Sequence, residues 1–187
     1  MIIELFGLPA TGKTTIAKIL HQEGDFQHVK IRGPIEIIWF NLLFCLKHPL
    51  VAFQIFTQVY KSPRHFFNFF LYRNAKYEKA LKYKAAVIDE GLFQNLLSVL
   101  EKPVDRDRLL TLAQNLPKPD LLVIVEISTE ERQQRIHRRG TLVRANREYF
   151  YEEFLKILPA LKLNYLKVDA QDSPIAVKHI KNYVENH

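Results

Sequence analysis

The chain has 187 residues, a length that suits one domain with a sizeable hydrophobic core. Hydrophobic residues make up 48% and charged residues 25%, a globular composition that argues against intrinsic disorder. The net charge of +7 suits phosphorylated ligands, nucleic acid or an anionic membrane surface, and the single cysteine, Cys45, excludes an internal disulfide.

The first predicted elements are a short apolar strand, Ile2 to Phe6, and a helix that starts near Lys13. Between them, Gly7 to Thr14 matches the phosphate-binding pattern GxxxxGK[ST] without a mismatch. Glycines let the main chain approach phosphate oxygens, and the helix start directs N–H groups and its positive dipole end at the same anion. We therefore expect this turn to bind the phosphates of a nucleoside triphosphate.

Residue types in this turn have separate expected roles. Lys13 supplies a mobile cation for the outer phosphates, and the Thr14 hydroxyl is a candidate ligand for Mg²⁺. The other nucleotide-binding candidates of the turn are Gly7, Ala10, Thr11, Gly12 and Thr15. ATP and Mg²⁺ are the expected cofactors, although the motif does not distinguish ATP from GTP.

Four more strands are predicted along the chain. They cover His28 to Arg32, Lys84 to Asp89, Leu121 to Ile127 and Tyr165 to Val168. Strands that alternate with helices indicate an α/β fold with a parallel sheet, and such sheets bind ligands at the carboxyl ends of their strands. That edge would bring the phosphate-binding turn close to Arg32, Asp89, Glu90 and Ala170.

Helices are predicted between the strands and at the end of the chain. They run over 15–23, 91–100, 105–115, 128–139, 147–163 and 173–185. Asp105 and Ser128 are expected to cap two of them, and Ser173-Pro174 to open the last. Pro159 is expected to break or kink the end of 147–163.

Residues 35–84 show no strong strand pattern. We expect two or three helices there, broken at His48-Pro49 and at Ser62-Pro63. A membrane-spanning helix is not expected, because polar residues such as Asn41 and Lys47 interrupt the apolar run before it reaches bilayer length.

Aromatic side chains crowd this insertion. They are Trp39, Phe40, Phe44, Phe53, Phe56, Tyr60, Phe66, Phe67, Phe69, Phe70 and Tyr72. Most are expected in the core between helices. The others line a pocket for an apolar acceptor or an exposed patch flanked by Lys61, Arg64 and Arg73, and the pattern does not choose between pocket and patch.

Two acids, Asp89 and Glu90, follow the third strand and should lie beside the phosphates. Asp89 is the better candidate to organise Mg²⁺ or to accept a proton from a substrate hydroxyl, and Glu90 is a rival for the base role. A helix N-cap is the structural alternative for Asp89. The phosphate-binding turn nearby favours the catalytic interpretation.

A basic segment follows the fourth strand. Arg132, Arg135 and Arg139 share one helix face, and arginine binds phosphate oxygens bidentately. Arg135 and Arg139 are the favoured contacts to the transferring phosphate, Arg144 is a weaker one, and Gly140 is a candidate hinge. The alternative is a solvated basic face paired with nearby glutamates.

The order of these features resembles the P-loop nucleoside and nucleotide kinases, thymidylate kinase in particular, including the pattern E-x-x-x-R-x-x-x-R-G at 131–140. The resemblance implies a three-layer P-loop NTPase fold with a five-stranded parallel sheet in the order 2-3-1-4-5. It also implies an acceptor pocket under insertion 35–84 and an arginine-bearing lid around 138–147. It places Arg135 over the nucleotide base, Arg139 on phosphates, and the 169–173 loop with Ala170 beside the adenine.

Two departures from thymidylate kinase concern the acceptor. Glu90 stands where that family carries an arginine, and the arginine-rich motif after the second strand is reduced to Arg32-Gly33. A carboxylate would repel an acceptor phosphate, so an unphosphorylated hydroxyl becomes at least as well favoured. Arg32, Glu90 and Arg144 are the expected acceptor-side residues.

The sequence thus predicts a single-domain, ATP- and Mg²⁺-dependent phosphotransferase for a nucleoside, nucleotide or other small alcohol. The alternative is a nucleotide-dependent switch or assembly ATPase whose insertion docks on a membrane or a protein. A cytoplasmic location is expected because the chain begins directly with a strand. Nucleic-acid binding is disfavoured, membrane-surface contact is open but not favoured, and a homodimer is open.

Overall fold

Five parallel strands form one sheet in the order β2-β3-β1-β4-β5. The computed structural model describes residues 1–59, 66–99, 105–140 and 146–186, without the side chains of 58, 59, 69, 98, 99 and 139. The strands are β1 (Ile2–Phe6), β2 (Gln27–His28), β3 (Ala86–Ile88), β4 (Leu121–Glu126) and β5 (Tyr165–Asp169). This order and the α/β class confirm the predicted P-loop NTPase fold.

Helices cover both faces of this sheet. They are α1 (Lys13–Gln22), α2 (Pro34–Lys47), α3 (Pro49–Val59), α4 (Arg73–Ala80), α5 (Leu92–Val99), α6 (Arg106–Asn115), α7 (Thr129–Arg139), α8 (Asn146–Ile157) and α9 (Ser173–Glu185). A π-helical turn, Phe66–Tyr72, leads into α4, and a 3-10 turn, Leu158–Leu161, follows α8. The break before Pro159 agrees with the prediction.

Successive side chains of β1 point to opposite faces of the sheet, and helices pack on both faces, so the fold has three layers. Ile3 and Leu5 pack in one core with residues of α1 and α9. Ile2 and Phe6 point to the opposite face and join the larger core, which includes residues of α5, α6 and α8. The sequence analysis described β1 as an apolar strand. Its central residue is the acid Glu4, which is fully buried on this second face.

The second strand is much shorter than predicted. It contains only Gln27 and His28, and the expected continuation to Arg32 is wrong. Val29 N still donates to Val87 O at 3.1 Å, but the carbonyl of Lys30 accepts from the Lys79 side chain instead of from a strand. This side-chain contact ends the ladder and leaves Arg32 in the approach to α2.

In its described residues, insertion 35–84 is mainly helical, as predicted, and the aromatic side chains described there are either buried or exposed. The helices break between Lys47 and Pro49, where Pro34–Lys47 and Pro49–Thr57 meet at 114°. The predicted break at Ser62-Pro63 lies outside the described residues, as do the side chains of Tyr60 and Phe69. Phe40, Phe44 and Phe70 are buried, whereas Trp39, Phe53 and Phe67 are exposed.

The predicted helix caps are mostly confirmed. The Asp105 side chain accepts from Arg108 N at 2.7 Å, and the Ser128 hydroxyl accepts from Glu131 N at 3.3 Å. The last helix differs, because its cap is Asp172 and not Ser173. Asp172 Oδ1 accepts from Ile175 N at 3.1 Å.

Candidate active site

The turn between β1 and α1 has the backbone that its glycines predict. Gly7 and Gly12 have φ values of 158° and 98°, and Ala10 also has a positive φ of 69°. A Cβ on Gly7 would lie 2.5 Å from the carbonyl oxygen of Val125, so any larger residue there would collide with β4. Gly7 N donates to Gln94 Oε1 at 2.9 Å, which ties the turn to α5.

Lys13 lies inside this turn. Its Nζ donates to the carbonyl oxygens of Gly7 at 2.8 Å and Leu8 at 2.7 Å, and it contacts Thr11 Oγ1 at 3.5 Å. Burial lowers the pKa of Lys13 to about 7, although the nearby carboxylate of Glu90 opposes this shift. Burial therefore disfavours the charged form of Lys13, and an anion bound in the turn would favour it.

Asp89 follows β3 and is the centre of a polar cluster. Thr14 Oγ1 donates to its Oδ2 at 3.0 Å, and Lys76 Nζ donates to its Oδ1 at 2.7 Å. The Nε2 of His28 lies 3.4 Å from the same Oδ1. Burial alone would raise the pKa of Asp89, but His28 and Lys76 outweigh it and hold the pKa far below its usual range. Asp89 is therefore a carboxylate at neutral pH.

The Thr14 hydroxyl and the Asp89 carboxylate fit a Mg²⁺ ion. Mg²⁺ prefers oxygen ligands and usually takes one or two protein groups together with phosphate and water oxygens. The two side chains already lie within 3.0 Å of each other at the start of α1. Among the described residues, no group of three or more His, Cys, Asp or Glu side chains could hold a metal ion, so the proposed Mg²⁺ site would depend on phosphate and water oxygens.

Glu90 forms an ion pair with an arginine from the insertion. Arg73 Nη2 donates to Glu90 Oε2 at 3.3 Å. The Arg73 side chain is 8% exposed and that of Glu90 is 54% exposed, so the carboxylate faces the solvent side of the pair. One of the open alternatives for the insertion placed Arg73 beside an exposed patch, but α4 buries this side chain.

Arg135 and Ala170 lie beside the turn. Arg135 Nη1 is 3.4 Å, and Ala170 Cβ 3.7 Å, from the position that a Cβ on Gly12 would take. Arg135 Nε also donates to Glu131 Oε1 at 2.8 Å, so the predicted pairing with a glutamate coexists with the contact to the turn. Arg135 is thus positioned next to the start of α1.

The other predicted arginines are less central. Arg32 is exposed, and its backbone N donates to Glu36 Oε2 at 2.8 Å. Arg132 is buried and pairs with Glu148, which joins α7 to α8. The Arg139 side chain, the residue Arg144 and half of the expected lid at 138–147 lie outside the described residues.

Sequence reasoning missed the cations on α4 and the acid in β1. Arg73 and Lys76 are three residues apart and reach Glu90 and Asp89 respectively. The available signal was the group of four charged residues in RNAKYEKA, within an insertion that is otherwise rich in aromatics. The structure buries all eight residues of this helix. Charged side chains that are buried in this way are usually paired.

Glu4 lies beneath the start of α5. Its Oε1 accepts from Gln94 N at 2.9 Å, and a Cβ on Gly91 would lie 2.4 Å from the Glu4 Cδ. Burial raises the pKa of Glu4 to about 7, although backbone N–H groups of α5 lower it in part. This carboxyl therefore packs directly behind Asp89-Glu90-Gly91.

We expect folding stability to depend on pH through Glu4. The unfolded chain loses this proton near the ordinary pKa of 4.5 and the folded chain near 7, so stability falls as pH rises through this window. The loss is about 3 kcal/mol if each pKa unit contributes roughly 1.4 kcal/mol. Glu4→Gln should melt higher than the wild type at about pH 8 and close to it at about pH 5.

Thermal melts of both proteins across this pH range measure the effect. Glu130→Gln is the matched control because Glu130 is an exposed acid on α7. Equal pH dependence in Glu4→Gln and the wild type would contradict the assignment of the proton to Glu4.

No protein-family model and no curated protein matches the sequence. Among solved structures, the chain is similar to deoxyadenosine kinase from M. mycoides with the products dCMP and dCDP, with a TM-score of 0.59, 17% identity and 100% of both chains covered. The same kinase with dATP bound gives 0.59 and 18%, covering 99% of this chain and 100% of that one. The YorR protein from Bacillus subtilis, in complex with phosphorylated GDP, gives 0.57 and 16%, covering 99% and 96%.

These similarities extend over whole chains and carry the same architecture as the sheet and turn described above. Because the sequence identities are only 16–18%, these similarities show a shared fold and nothing beyond it. The chain has the fold of the P-loop nucleoside kinases.

Proposed function

We propose that this protein is an ATP- and Mg²⁺-dependent phosphotransferase that acts on the hydroxyl of a small molecule. The observation that carries the proposal is the convergence of Lys13, Thr14, Asp89 and Glu90 at the carboxyl ends of β1 and β3. This arrangement supports a phosphate-binding role for the turn, a metal-binding role for Thr14 and Asp89, and an acceptor-side role for Glu90. The similarity to the fold of deoxyadenosine kinase from M. mycoides supports the same reaction class.

In the proposed reaction, Lys13 and the amides of the turn bind the outer phosphates of ATP. Glu90 accepts the proton of the acceptor hydroxyl, whose oxygen forms a bond to the γ-phosphorus. The bond from this phosphorus to the β–γ bridging oxygen breaks, and ADP leaves. Thr14 and Asp89 would hold Mg²⁺, which neutralises charge on the phosphates when bound.

The very low pKa of Asp89 favours different roles for Asp89 and Glu90. A carboxylate that binds protons this weakly is a poor general base near neutral pH. Its contact with Thr14 Oγ1 suits a metal ligand instead. Glu90 is therefore the proposed base, and the Arg73 guanidinium orients it.

The acceptor is proposed to be unphosphorylated. The Glu90 carboxylate is half exposed on the acceptor side and would repel a phosphate there. Because M. mycoides deoxyadenosine kinase and YorR bind nucleotides, nucleosides are the first candidates, followed by sugars and other small alcohols. The proposed roles of Arg32 and Arg144 at the acceptor, and of Arg139 on phosphate, remain predictions, as does the cytoplasmic location.

An assay of ATP consumption against a panel of nucleosides, nucleotides and sugars tests the function. We expect one unphosphorylated class to stimulate ADP formation, with an equal amount of phosphorylated acceptor detected by mass spectrometry. Free phosphate as the only product, stimulated by liposomes or a protein, would instead indicate a nucleotide-dependent switch or assembly ATPase. Stimulation by monophosphates alone would contradict the proposed acceptor class.

A further inference from the structure

Helices α2 and α3 leave a set of large apolar side chains exposed to solvent. On α2, five side chains that are 51–83% exposed recur at intervals of mostly three and four residues: Ile35, Ile38, Trp39, Leu42 and Leu46. On α3 the set continues with Leu50 and Phe53, which are 82% and 68% exposed. These seven residues are called the apolar face below. Large apolar side chains that are exposed as a group favour an interaction site.

The apolar face carries no unpaired acid. Between residues 34 and 57 the chain has only two residues of the types Asp, Glu, Lys and Arg, namely Glu36 and Lys47. Glu36 Oε2 accepts from Lys79 Nζ at 2.7 Å, and Lys47 pairs with Glu78. Because both partners belong to α4, these charges are compensated within the protein.

Two exposed basic residues lie near α2. Lys82 Nζ is 4.7 Å from the ring centroid of Phe40, a buried residue of α2, and Arg32 precedes the helix. The chain as a whole has a net charge of +7. Apolar side chains next to basic ones are the combination that binds the interface of membranes with anionic lipids.

The two helices also have the composition of a membrane segment. In the part of the chain that the structure describes, no single helix is long and apolar enough to cross a membrane, whereas Pro34–Lys47 and Pro49–Thr57 together meet that criterion. They are bent by 114°, and their apolar face points outward. This geometry suits helices that lie in the headgroup region.

We propose that the apolar face binds the surface of a bilayer that contains anionic phospholipid. A second copy of the chain could also cover these side chains. Pairing two chains of charge +7 through the same face would, however, oppose their basic neighbours, whereas an anionic bilayer attracts them. This inference is independent of the proposed phosphotransferase activity.

Trp39 reports directly on this surface because it is the only tryptophan of the chain and is 54% exposed. We expect its emission to shift to shorter wavelength with vesicles of phosphatidylcholine and phosphatidylglycerol, and brominated lipids to quench it. Vesicles of phosphatidylcholine alone should bind more weakly, because the electrostatic attraction is missing. Absence of any change with folded wild-type protein would overturn the proposal.

A second experiment uses variants of the apolar face. Leu46→Asp combined with Phe53→Asp should reduce vesicle co-sedimentation at least about tenfold, since charged groups oppose insertion into the acyl boundary. Ile175→Asp is the matched control, because Ile175 is an exposed apolar residue on α9, 53% exposed. Circular dichroism confirms that each variant is folded. A lipid-free dimer that buries Trp39 and that the double variant dissociates would overturn the proposal in favour of a second copy.

Discussion

Replacing Lys13 by alanine is expected to reduce phosphoryl transfer by about 10²- to 10³-fold, the usual effect of removing one preorganised charge-stabilising group. The melting temperature at neutral pH should stay the same or rise. Burial lowers the pKa of Lys13 from 10.5 to about 7, so the folded state holds this proton more weakly than the unfolded state does. Stability therefore increases with pH between these values, and below them the buried lysine opposes folding.

Initial rates at saturating acceptor, together with thermal melts, measure both parts of this prediction. Lys18→Ala is the matched control, since Lys18 is an exposed lysine on the same helix and should keep wild-type rates. A folded Lys13→Ala protein with normal turnover would contradict the role of the turn in catalysis.

Glu90→Gln is expected to lower kcat by about 10²- to 10⁴-fold, the range for loss of a general base. Glutamine has the same shape and can still accept a hydrogen bond from Arg73, so the KM for Mg·ATP should change little.

Asp89→Asn should instead raise the Mg²⁺ concentration needed for half-maximal rate, because Asp89 and Thr14 are the proposed metal ligands. It also leaves Lys76 without its carboxylate partner.

Titrations of Mg²⁺ and of acceptor for the two variants separate these roles. Arg73→Lys is an informative third variant, because it keeps a cation beside Glu90 but loses the planar guanidinium. If Asp89→Asn lost kcat at saturating Mg²⁺ while Glu90→Gln kept it, the assignments of base and metal ligand would have to be exchanged.

The strands β1 and β4 and the phosphate-binding turn could be predicted because they depend on local patterns, whereas the order of the strands was implied by the resemblance to P-loop kinases. The apolar runs of β1 and β4 and the spacing of Gly7, Gly12 and Lys13 each lie within a few residues of sequence. Helix capping is equally local, and Asp105 and Ser128 were identified correctly. The placement of Asp89 beside Thr14 followed from the rule about strand ends in parallel sheets.

The contacts that complete the site depend on tertiary packing. Lys76 reaches Asp89 and Arg73 reaches Glu90 only because α4 packs between α2 and β3. The early end of β2 has a similar cause, the bond from Lys79 to the carbonyl of Lys30. No pattern within one segment predicts these pairings between segments.

Calorimetric titration of the folded protein with Mg·ATP and with Mg·GTP tests the central claim most directly, because every proposed step begins with triphosphate held in the turn between β1 and α1. We predict saturable binding of at least one of them, with a rise in melting temperature, and marked weakening in Lys13→Ala. A folded wild-type protein that gave no heat and no thermal shift with either nucleotide would contradict the account.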